Sequence, residues 1–240
     1  MPEQYTYLLV DFFCIVFPFI FSFVPRFNFI SQWRYFVLPC LLTGLFFVAW
    51  DVLFTYLGVW SFNPKYVIGI YLFGLPLEEY FFFICIPYAC TFTYHCLNLF
   101  FTFSASTNRP IIFKWLFVSI LAITALLHLS HLYTSVTFLL LAAFLVILSY
   151  KKVAYLPAFF FCFMLILIPF FISNGILTGS IIGRTVVMYN NHHNLGIRMF
   201  TIPIEDTFYG MLLLLMNVTG FEYLKQKANI KVNQPHTDDI

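Results

Sequence analysis

The sequence predicts an all-α membrane protein of about seven transmembrane helices, arranged as two parallel three-helix repeats joined by a connecting helix. Three observations carry this expectation: an apolar composition, a series of runs long enough to cross a bilayer, and a self-match at a shift of 127 residues. Of the 240 residues, 62% are hydrophobic and 9% charged, against about 45–50% and about 25% in an average soluble domain. No water-soluble surface can be assembled from such a chain, so the lipid bilayer is its first partner. The formal net charge is +2, with no basic stripe interleaved with exposed polar residues, and a nucleic-acid partner is not expected.

A bilayer crossing needs roughly 17–25 apolar residues. Runs of that length, broken by Pro, Gly, Asn and charge, place helices near 5–24, 35–57, 75–99, 112–130, 133–150, 156–177 and 203–222. The first run follows Glu3, contains Asp11 and lacks a small-residue cleavage site, so it reads as a retained helix rather than a signal peptide. Only a short polar turn around Ser130, His131, Tyr133 and Thr134 separates the fourth run from the fifth. The expected organisation is a first repeat over 1–110, a connecting helix over 111–131, a second repeat over 132–224 and a polar, solvated tail over 225–240. All six cysteines fall in apolar segments without a Cys-x-x-Cys pair, which suggests neither disulfides nor a zinc site. Cytoplasmic loops carry the excess of Lys and Arg. Nine of the twelve basic residues group with the side of the C-terminus and three (Lys65, Arg184, Arg198) with the other. A multi-pass protein of the cell (inner) membrane is expected, with its N-terminus outside and its C-terminus cytoplasmic.

The shift of 127 lays Asn63 on Asn190, Gly69 on Gly196, Pro76 on Pro203, Glu78 on Glu205, Glu79 on Asp206 and Phe81 on Phe208 without a gap. It also lays the first three spans on the last three. Spans four crossings apart run in the same direction, so the copies should be related by an axis along the membrane normal, with both acidic helix starts at one face.

Pro76-Leu77-Glu78-Glu79 and Pro203-Ile204-Glu205-Asp206 each put a proline at a helix start and two carboxylates in its first turn. Helix capping explains such a pattern locally, but ionisable groups inside membrane segments are costly and usually mark a site. Neighbouring helical residues project about 100° apart. One acid per repeat should therefore face the interior, with Glu78 meeting Glu205 or Glu79 meeting Asp206 in a composite site. Two carboxyls in one apolar cleft supply an acid and a base. Asp51 has Thr178 at its equivalent position and is as readily structural as catalytic; Asp11, equivalent to Phe138, reads as structural. Arg198 precedes Glu205 by seven residues, two turns if the helix reaches that far, and is a candidate to neutralise an acid. Asn63 and Asn190 mark equivalent loops, and Tyr80, Phe81, Phe82, Phe208 and Tyr209 are aromatic candidates for cation stabilisation. The histidines show no metal-ligand spacing, and no metal is expected.

The blocks from Gly58 to Pro64 and Pro76 to Glu79, and from Gly196 to Arg198 and Pro203 to Gly210, resemble the membrane-integral lycopene beta-cyclases over nearly the whole chain. That family includes fused archaeal enzymes, bacterial heterodimers and the cyclase part of fungal bifunctional proteins. The resemblance implies a fused enzyme whose substrate is the lipophilic polyene lycopene, with other carotenoid-pathway enzymes as possible neighbours; relatives that form epsilon rings or act on C50 carotenoids leave ring type and substrate length open. Cyclisation of a polyene end is a net isomerisation needing an acid, a base and cation-stabilising surroundings. No Gly-x-Gly-x-x-Gly fingerprint is present, and no flavin or nicotinamide cofactor is expected. A transporter or proton channel is the rival from another class, since repeats and intramembrane acids occur there too. A retinal-binding receptor lacks its Lys in the seventh span. A glutamate-type intramembrane protease would place an Arg where this chain has Phe83.

Overall fold

The computed structural model describes residues 2–103, 109–181 and 183–233. Among these, seven α-helices form one bundle: α1 (Thr6–Phe21), α2 (Trp33–Tyr56), α3 (Leu77–Phe100), α4 (Arg109–Leu127), α5 (Leu132–Tyr150), α6 (Leu156–Thr178) and α7 (Ile204–Asn233). Five of them, α1, α2, α3, α5 and α6, are long and apolar enough to cross a membrane. The apolar part of α4 is the shorter Lys114–Leu127, and α7 opens on Glu205 and Asp206. The protein is membrane-embedded and nearly all-α, as its composition demands.

The chain between these helices is short strand and single 3-10 turns. Between α2 and α3 run β1 (Trp60–Phe62), β2 (Tyr71–Leu72) and β3 (Leu75–Pro76); between α6 and α7 run β4 (Val187–Tyr189), β5 (Arg198–Met199) and β6 (Ile202–Pro203). The two-repeat organisation holds to the residue. The β2–β3 pairs Tyr71↔Pro76 and Leu72↔Leu75 become the β5–β6 pairs Arg198↔Pro203 and Met199↔Ile202 under the same shift of 127. β1 and β4 pair antiparallel across the repeats, Trp60 opposite Tyr189 and Phe62 opposite Val187.

The helices follow the same symmetry. α1 packs on α3 as α5 packs on α7, and the second helix of each repeat crosses to the third helix of the other, α2 on α7 and α6 on α3. α4 has no counterpart and packs chiefly on α5. A core of large apolar side chains, among them Phe29, Phe47, Phe83, Leu141, Leu145 and Phe221, is wholly buried between the helices. At the tips of the two hairpins, Phe73 and Phe200 occupy equivalent positions with φ of 50° and 59° and exposures of 84% and 85%. Bulky residues seldom adopt the left-handed region, so the hairpins hold two aromatic rings outward at some conformational cost.

Two expectations change. The prolines stand one place before the first helical residue: Pro76 (φ −66°, ψ 151°) is the extended N-cap that ends β3. The strand uses it because the hairpin is closed by the next residue, Leu77 N–H to Ile70 C=O at 2.9 Å, and by Ile204 N–H to Ile197 C=O at 3.0 Å in the second copy. The polar stretch from Lys225, expected as a solvated tail, continues α7 as far as Asn233. It contains Lys, Gln and Ala and neither Gly nor Pro, so nothing in it breaks a helix. Positions 234–240 of that tail lie outside the described residues.

Candidate active site

The hairpin closures bring the chain back so that two consecutive carboxylates enter the first turn of α3 and of α7. The two acids of each pair then part, as a 100° step requires. Glu78 Oε1 accepts the Ile68 N–H at 2.7 Å; Glu205 Oε1 accepts the Leu195 N–H at 2.8 Å and the Thr134 hydroxyl at 2.6 Å. These two acids pin their own loops against the helix starts.

Glu79 and Asp206 turn the other way and line one cavity of about 240 Å³. Of the two pairings the sequence left open, the structure brings together Glu79 and Asp206. Asp51 of α2 joins them. Its carboxyl lies within hydrogen-bonding reach of Glu79 and accepts the Tyr209 O–H at 2.5 Å. Tyr7 O–H donates to Glu79 at 2.6 Å. Asp206 accepts three donors: Tyr133 O–H at 2.6 Å, Tyr189 O–H at 2.8 Å and Asn174 Nδ2 at 3.3 Å. Asp51, Glu79 and Asp206 are 3%, 6% and 4% exposed, so three carboxyls share a site closed to bulk water. Two buried carboxyls in reach of each other can share one proton, whereas three donors around Asp206 suit a carboxylate. Tyr189 stands on β4, outside the spanning helices; burial, and after it the neighbouring Asp206 charge, push its phenol well above its ordinary pKa and keep it a donor.

Aromatic rings close the site. Tyr133 stacks on Tyr189 at 6.1 Å and meets Trp60 edge-on at 5.1 Å, while Tyr209 meets Phe47 at 4.9 Å and Trp50 at 5.1 Å. Since Trp60 and Tyr189 face each other across the β1–β4 ladder, both repeats contribute to this roof.

The remaining candidates lie elsewhere. Asn63 and Asn190 tie the repeats together: their side chains donate to Thr185 C=O (3.2 Å) and Gly58 C=O (3.1 Å), and their backbone N–H groups to Val186 C=O (2.8 Å) and Val59 C=O (2.9 Å). Arg198 sits on β5, because α7 starts only at Ile204, and not on a helix two turns before Glu205. Its guanidinium donates to Thr201 C=O and Asn191 Oδ1, both at 2.7 Å, rather than to an acid. Tyr80 O–H donates to Leu72 C=O at 2.8 Å, Phe81 is exposed, and Phe208 packs on Phe138 at 4.8 Å. Of the aromatic candidates, Tyr209 and Phe82 line the cavity. Asp11 is buried on α1, and neither of its oxygens has a hydrogen-bond partner among the described residues.

Sequence reasoning missed Tyr7, Tyr133, Tyr189, Trp60 and Asn174. The signal was muted because the shift of 127 lays Tyr7 on Thr134, one place past Tyr133. The two copies thus deliver a phenol to equivalent acids from adjacent, not equivalent, positions.

A family model described as lycopene cyclase matches residues 4–97 and 130–224. The chain belongs to the lycopene cyclase family. Neither curated proteins nor solved structures give a match. The two matched stretches of this lycopene cyclase family member are its two repeats, each bringing one acid, Glu79 or Asp206, to the shared cavity; α4 falls wholly in the gap between them. Membership makes the chain a carotenoid cyclase and fits a lipophilic carotenoid substrate in a membrane setting.

Proposed function

We propose that this cyclase is a lycopene beta-cyclase, converting the acyclic ends of lycopene to beta-ionone rings, by way of gamma-carotene to beta-carotene, in a redox-neutral acid–base isomerisation. The observation that supports this reading most is the single cavity into which Glu79 with Asp51 from one repeat and Asp206 from the other project, under a roof of aromatic rings. The proton held between Glu79 and Asp51 goes to the terminal double bond of the polyene. The neighbouring alkene attacks the resulting tertiary cation, a ring C–C bond forms, and the cation moves onto the ring. Asp206, the carboxylate with three donors, then takes a ring proton, and its C–H electron pair becomes the new double bond. One proton enters and one leaves, and the site resets when the proton returns from Asp206 to the Glu79–Asp51 pair.

A carboxyl is a weak acid toward an alkene, so most of the barrier must be recovered by stabilising the cation. The ring faces of Trp60, Tyr133, Tyr189 and Tyr209 and the Asp206 charge are arranged for this in a water-poor site, where such interactions are strongest. Glu78 and Glu205 are positioning residues in this scheme. The acids face the outer side of the membrane, with the N-terminus outside, as the Lys and Arg count indicates. The experiment is expression in cells that accumulate lycopene, with pigments resolved by chromatography. Beta-ring products are expected; epsilon rings or unchanged lycopene would overturn the assignment.

A further inference from the structure

The cavity does not end at the acids. From Glu79 it continues along α3 past Ile86 and Ala89 to Thr93, fourteen residues or roughly 21 Å at about 1.5 Å each. Pro18 of α1 forms one side and Ile166 and Pro169 of α6 the other. Ile86, Ala89 and Thr93 are half-buried and Pro169 is exposed. The slot therefore opens on the flank of the bundle, between α1 and α6, where lipid lies. Its hydroxyls are turned onto their own helices, Thr93 to Ala89 C=O at 2.8 Å and Ser173 to Pro169 C=O at 3.0 Å.

The repeat should have produced a twin slot along α7, between α5 and α2, and there the space is filled. Leu141 and Leu145, at the positions of Cys14 and Pro18, are both 0% exposed. Gly220, at the position of Thr93, lies so close to Pro39, at the position of Ile166, that a Cβ built on it would sit 2.6 Å from the Pro39 Cβ. The two positions that line the open slot in one repeat touch in the other.

We infer that the α1–α6 slot is the groove for the polyene shaft of the substrate, entered sideways from the bilayer, and that the filled twin restricts the enzyme to one substrate end per visit. This rests on the cyclase reading above. The occupant is an unfunctionalised hydrocarbon chain: the slot is continuous with the acids, it is apolar along its length, and its wall hydroxyls are spent on backbone carbonyls, leaving nothing to hold a lipid headgroup.

The test compares Ala89→Phe, which fills the groove, with Met216→Phe, the equivalent position in the closed repeat. Initial rates of lycopene consumption are measured in membranes normalised for inserted protein. If the wild type forms no cyclic carotenoid, the cyclase reading fails and not the groove. With an active wild type, Ala89 is expected to matter and Met216 not: Ala89→Phe should lose at least tenfold in rate and Met216→Phe should stay within about threefold. If Ala89→Phe does not accumulate in the membrane, Thr93→Phe replaces it with the same expectation. Equal rates for the groove variant and wild type, or equal losses for both variants, would overturn the groove. One-end-per-visit is read from a wild-type time course with added labelled monocyclic carotenoid: label should enter the bicyclic product from the start, and bicyclic product formed without exchange would overturn it.

Discussion

Replacing Glu79 by Gln keeps the size of the side chain and removes its acidity, while the same change at Glu78 acts on a carboxylate one residue away with different partners. Glu79 faces the cavity, within reach of Tyr7 and Asp51. Loss of a general acid costs typically 10²–10⁴ in rate, or roughly 3–5 kcal/mol of activation free energy. Glu78 instead accepts the Ile68 N–H at 2.7 Å. A Gln there keeps a carbonyl oxygen for that bond and gives up only its ionic part, about 1 kcal/mol of stability. Glu78→Gln should therefore turn over lycopene within a few-fold of wild type per inserted molecule, and Glu79→Gln at least a hundredfold more slowly. The assay is the initial rate of cyclic product by chromatography, divided by the amount of protein in the membrane. The same contrast is expected between Glu205→Gln and Asp206→Asn. Two equally inactive variants within either pair would refute the division of labour between a loop-pinning and a reacting acid; an active Glu79→Gln would refute the acid assignment itself.

Tyr209→Phe removes the 2.5 Å hydrogen bond to Asp51; a bond of this kind is worth about 1.5–3 kcal/mol, so a rate loss of about ten- to hundredfold is expected with normal insertion, and an unchanged rate would detach Asp51 from the chemistry. Asn63→Ala and Asn190→Ala each remove one inter-repeat side-chain bond and one loop cap; each should lower the half-inactivation temperature in detergent to a similar extent while leaving the initial rate largely intact, and a large rate loss without loss of stability would contradict a tethering role. Splitting the chain ahead of α4 should give two halves inactive alone and active when co-expressed, because each carries one of the two facing acids; activity in either half by itself would end the composite-site reading.

The membrane class, the helices and the repeat are all legible in the amino-acid sequence, because each depends on properties that one strand of chain carries alone. Bilayer crossing is a matter of local length and apolarity, and the repeat shows as residue identity at a constant shift. The acidic pairs stood out for the same reason, since consecutive carboxylates at an apolar helix start are costly wherever the helix goes. Which acid of each pair reacts could not be read in that way. A 100° step says that Glu78 and Glu79 diverge, but only the hairpins β2–β3 and β5–β6, through the bonds from Leu77 to Ile70 and from Ile204 to Ile197, set the rotation that sends Glu79 and Asp206 inward. Asp51 looked peripheral because its repeat partner is Thr178, yet α2 packs both on α3 of its own repeat, which bears Glu79, and on α7 of the opposite repeat, which bears Tyr209. Tyr7, Tyr133 and Tyr189 come from three separate elements, and their convergence is a property of packing that no local pattern encodes. The open groove was equally hidden: Thr93 and Gly220 hold equivalent positions, and it is the contact of Gly220 with Pro39 that closes one side and leaves the other free.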